Sequence, residues 1–110
     1  FHSFTNSIKK TIIEFNKYKS NFPDYKVAIF GASVLGQMLF PFGLKEEHIT
    51  CVLDNDKLKE EGRLYGTNLR VENPQIIKKD KWIVIVKMGS HTEDVINQLK
   101  EINPKVKIVI

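Results

Sequence analysis

The run Val27-Ala28-Ile29-Phe30 leads directly into Gly31-Ala32-Ser33-Val34-Leu35-Gly36, after which Leu35, Met38, Leu39 and Phe42 keep helical spacing. A strand, a glycine turn and a helix in that order build a corner whose helix start can hold a phosphate. Asp54 ends the next apolar run, Ile49-Thr50-Cys51-Val52-Leu53, 23 residues after Gly31. A dinucleotide-binding βαβ unit carries its ribose-binding acid at about that distance.

The rest of the chain repeats the alternation. Phe4, Ile8, Ile12 and Phe15 among Lys, Asn, Ser and Thr predict an amphipathic helix over roughly 4–19. Asn21-Phe22-Pro23-Asp24 breaks it, and Lys26 to Phe30 forms the first strand. Pro41 shortens or kinks the helix after Gly36, and Gly43 closes it. Leu69-Arg70-Val71 predicts a short third strand, and Pro74 opens a brief helix through Ile77. Trp82-Ile83-Val84-Ile85-Val86 is apolar throughout, as in a central parallel strand covered on both faces. Ser90 and Glu93 form a capping box for a helix with Val95, Ile96, Leu99 and Ile102 on its apolar side. Asn103-Pro104 stops that helix. Residues 106–110 form a last strand, which Lys107 places near an edge. The expected fold is α/β: a three-layer Rossmann-like sheet, mainly parallel, of about five strands in the order 3-2-1-4-5, with an extra N-terminal helix. Ligands of such sheets sit where the connections diverge, between Gly31 to Gly36 and Met88-Gly89-Ser90-His91.

With 110 residues the chain fits one domain. We expect a helix at 1–22 and an α/β core at 26–110. The chain opens at Phe1 without an initiator Met, which predicts a piece of a longer protein. Lys and Arg outnumber Asp and Glu by 17 to 13, and the lysines are spread from Lys9 to Lys107. No stretch concentrates them, so the charge reads as a solvated surface and no nucleic-acid partner is expected. No apolar run approaches the ~18 residues of a span, so no membrane partner is expected either. A single cysteine, Cys51, excludes disulfide frameworks and multi-cysteine zinc sites and reads as a small buried hydrophobe.

The candidate nucleotide-binding residues are Gly31, Ala32, Ser33, Gly36, Asp54, Asn55, Ser90 and His91. Ser33 stands where the full G-x-G-x-x-G carries its middle glycine. Its side chain restricts the approach of a pyrophosphate but offers a hydroxyl. The turn is either a phosphate contact or only a tight strand–helix corner. Asp54 either accepts from a ribose or closes the Asp54-Asn55-Asp56 turn. His91 lies beside the predicted cleft, where it serves chemistry or is simply the exposed first residue of a capped helix. No Ser/His/acid or Cys/His set can be assembled, no Walker lysine follows the turn, and Asp54 to Asp56 lack the Gly and Glu of a calcium loop. We therefore expect no catalytic residue and no metal site in this chain, and the cofactor stays open.

The segments Val27 to Ala32, Gly36 and Cys51 to Asp56, followed by Lys59, Gly62, Gly66 and Pro74, resemble a known family. It is the C-terminal Rossmann-like domain of bacterial nucleotide-sugar C-methyltransferases, and the likeness covers nearly the whole chain. It implies a nucleotide-sugar-binding module of an S-adenosylmethionine-dependent transferase of surface-polysaccharide or deoxysugar biosynthesis, in the cytoplasm. In that family a zinc-binding domain and an S-adenosylmethionine domain come first and hold the catalytic residues, so none carries over here. What carries over is the corner at Gly31, Ala32 and Gly36 and the acid Asp54. The early Pro41 departs from the family's longer helix. The implied partners are a nucleotide-diphosphate sugar and the remainder of the parent polypeptide. The alternatives are a non-catalytic structural or interaction module, or a small NAD-type nucleotide-binding domain.

Overall fold

The computed structural model describes residues 2–31, 43–55, 69–86 and 92–110, with side chains from residue 6 onward. Five strands form one parallel sheet: β1 (Lys26–Phe30), β2 (Cys51–Leu53), β3 (Val71–Glu72), β4 (Trp82–Val86) and β5 (Lys107–Val109). Their order is β3-β2-β1-β4-β5, as the alternation predicts. Among the described residues two α-helices flank the sheet, α1 (His2–Asn21) and α2 (Thr92–Ile102). Short 3-10 helices at Glu46–His48 and Pro74–Lys78 lead into β2 and β4.

The period-2 alternation of strand side chains divides the core in two. Val27 and Ile29 of β1 and Ile83 and Ile85 of β4 face Ile8, Ile12 and Phe15 of α1. Ala28 and Phe30 of β1 and Trp82, Val84 and Val86 of β4 face Val95 and Leu99 of α2. All five β4 residues are buried, which explains why that segment is apolar at every position. β1 and β4 pair in full register from Lys26↔Trp82 to Phe30↔Val86. Cys51 is buried in the α2-side cluster, as expected of a small hydrophobe.

Element ends differ from the sequence reading. α1 runs past the predicted 4–19 because the Phe22 N–H still reaches the Tyr18 carbonyl at 2.8 Å. β2 begins at Cys51 rather than Ile49, whose N–H closes the 3-10 turn on Glu46. The third strand is Val71–Glu72, with Arg70 its bridge residue and Leu69 buried outside it. The predicted helix after Gly36, its Pro41 kink and the Ser90 cap lie outside the described residues, as does the side chain of Phe4. Among the described residues no helix is long and apolar enough to cross a membrane.

Candidate functional site at the sheet's switch point

β1 lies between β2 and β4, and the chain leaves these two central strands in opposite directions, toward β2 after β1 and toward β5 after β4. The carboxyl ends of β1 and β4 are thus the switch point where open α/β sheets hold ligands. Gly31 stands there. It is buried, with φ of +102°, a conformation that glycine adopts without steric cost. Its N–H donates to the Leu53 carbonyl at 2.6 Å, adding one rung to the β1–β2 ladder. Gly31 therefore supplies a sharp exit and a close approach, and its own amide is committed to β2.

That rung sets Gly31 beside the exit of β2, where Asp54 follows. The Asp54 N–H donates to the Glu72 carbonyl at 3.1 Å, and the residue is half-buried. Asn55 is exposed and makes a reciprocal amide pair with Gln98 of α2, at 2.9 Å one way and 2.8 Å the other. This pair ties the end of β2 to α2. Gln98 was not among the sequence candidates. Its partner is 43 residues away, and no local pattern marks it. Glu93 and Asp94 occupy the first turn of α2, where carboxylates balance the positive end of the helix dipole. The remaining candidates, Ala32, Ser33, Gly36, Ser90 and His91, lie outside the described residues. The structure thus brings Gly31, Asp54 and Asn55 together at one end of the sheet.

Among the described residues, groups that could do nucleophilic or metal chemistry are scarce. Among the described residues no cluster of His, Cys, Asp and Glu could hold a metal ion. Burial pushes the Cys51 thiol up to about 12, helped by the negative charge of Glu72 and opposed by Lys26. It is a neutral thiol at pH 7 and not a nucleophile. Cys51 also floors a concavity of about 430 Å³ at the amino ends of the strands, edged by Lys26, Arg70 and Asp80. That hollow is at the opposite pole from the switch point.

A model of the C-methyltransferase C-terminal domain matches residues 1–110, the full length of the chain. The chain belongs to this family, and its role is therefore methyltransferase-related. No curated protein and no solved structure matches it.

Proposed function

We propose that this domain holds a nucleotide-diphosphate sugar at the switch point and presents it to the transferring part of an S-adenosylmethionine-dependent sugar methyltransferase. The observation that carries the reading is the buried, positive-φ Gly31 at the exit of β1, with Asp54 beside it. A glycine at that exit would let a diphosphate approach the main chain, and the acid at the end of β2 matches the ribose position of such sheets. Ala32, Ser33 and Gly36 would contact the phosphates, and Ser90 and His91 would face them from β4. Asn55 serves the site by anchoring α2 through Gln98. The parent enzyme would act in the cytoplasm on surface-polysaccharide or deoxysugar precursors. The reading as an interaction module draws on the same Asn55–Gln98 pair, which needs no ligand to explain it.

Equilibrium dialysis of the isolated chain against a nucleotide-diphosphate sugar tests the proposal. Half a cleft should bind weakly, with Kd about 0.1–1 mM, or roughly 4–5.5 kcal/mol. Asp54→Asn should weaken binding about tenfold. With S-adenosylmethionine added, no methyl transfer above blank should occur. Equal binding by parent and variant would remove the ribose role of Asp54, and turnover by this chain alone would contradict its reading as a binding module.

A further inference from the structure

The fold gathers cations that the sequence scatters. β1 starts at Lys26, Arg70 immediately precedes β3, and Lys78, Lys79 and Lys81 lead into β4. Lys105 and Lys107 stand at the start of β5, while α1 and α2, running antiparallel to the strands, end in Lys19 and Lys100. Lys45 precedes the turn into β2. The carboxylates at this end are Asp24, Glu46, Glu47, Glu72, Asp80 and Glu101, so ten cations meet six anions. The local excess of four equals the +4 of the whole chain, so the remainder of the molecule sums to about zero.

The end is also even. Lys107 pairs with Ile83, which is level with Val27, and Arg70 is level with Cys51 and Ala28. The strand starts thus lie within about two rungs, ~7 Å, of one another. The charges extend in two dimensions, across five strands and from α1 on one face to α2 on the other. A nucleic-acid strand is tracked by a groove or stripe with free aromatic platforms. Here the rings are already covered. Lys26 sits 5.8 Å from the Trp82 centroid, Lys81 5.9 Å from Tyr25 and Lys107 5.1 Å from Phe22. Nine of the ten cations are lysines, which act as point charges without the fork of arginine.

From this arrangement we propose that the amino-end face docks peripherally on an anionic lipid bilayer. A two-dimensional array of lysines around the hollow complements a plane of negative headgroups, each lysine near the surface raising partition about fivefold. The lack of a span, on which the expectation of no membrane partner rested, has no bearing on such a contact. It is independent of the proposed sugar-nucleotide site, which lies at the other pole.

The test is sedimentation of the whole chain with vesicles of phosphatidylcholine, alone or with about 30% phosphatidylglycerol, at about 50 and 250 mM salt. We expect binding to the anionic vesicles only, falling more than about tenfold at the higher salt. Lys79→Glu, Lys81→Glu and Lys105→Glu together should reduce it about a hundredfold or more. All three are exposed, and the variant's melting curve checks its fold. Lys9→Glu and Lys10→Glu, more than two turns of α1 away from Lys19, should together cost less than about tenfold. Absence of binding to anionic vesicles at low salt, or an equal loss per substituted lysine in the two variants, would overturn the proposal. Retention on a short RNA but not on anionic vesicles near about 150 mM salt would assign the face to nucleic acid and overturn it as well.

Discussion

Asn103 shows how one polar residue can close a fold. It is buried just beyond α2, and its side-chain N–H groups donate to the Ile77 carbonyl at 2.9 Å and the Asp80 carbonyl at 3.2 Å. Its Oδ1 accepts from the Lys105 N–H at 3.0 Å, and its own N–H reaches Leu99 at 2.8 Å. It therefore joins the end of α2 to the segment between the 3-10 helix Pro74–Lys78 and β4. That segment includes Asp80, held at φ of +74° and paired with Lys26 at 3.0 Å. In the sequence Asn103-Pro104 reads only as a stop signal, because the carbonyls it serves lie 23 and 26 residues away. Asn103→Ala leaves two carbonyls and one amide without their partner. Urea denaturation should show a loss of about 2–4 kcal/mol, whereas a loss under about 0.5 kcal/mol would mean that water replaces the amide fully.

At the scale of elements, α1 was legible in the sequence because its apolar spacing is regular, and the structure assigns a different role to each side of it. Phe15 is fully buried against the sheet, while Ile13, two residues earlier, is 55% exposed. Phe15→Ala should therefore cost about 3–5 kcal/mol, and Ile13→Ala should stay within about 0.5 kcal/mol. Thermal melts of the two variants check this, and similar shifts would mean that α1 packs differently. β1 and β4 were equally legible, since a run buried on both faces must be apolar throughout. β2 and β3 were less so. Where a ladder begins depends on the partner strand, and the Thr50 hydroxyl accepting from the Val27 N–H at 3.3 Å sits at that margin without entering the strand. The switch point followed from strand order, but Gln98 did not, because the amide pair with Asn55 exists only once α2 has folded back on β2.

At the scale of the molecule the two ends of the sheet have different chemistry. The carboxyl end holds Gly31, Asp54 and the acidic first turn of α2, while the amino end gathers lysines from every part of the chain. Composition alone could not disclose that polarity, because parallel strands bring residues as distant as Lys26 and Lys107 to one edge. The central claim concerns the carboxyl end. Its most direct test is a titration of the isotopically labelled chain with a nucleotide-diphosphate sugar, followed by amide NMR. The amides of Gly31, Asp54 and Asn55 should shift and saturate with Kd about 0.1–1 mM, while those of Lys26, Arg70 and Trp82 stay in place. Shifts confined to those amino-end residues, or none at about 10 mM ligand, would contradict the central claim.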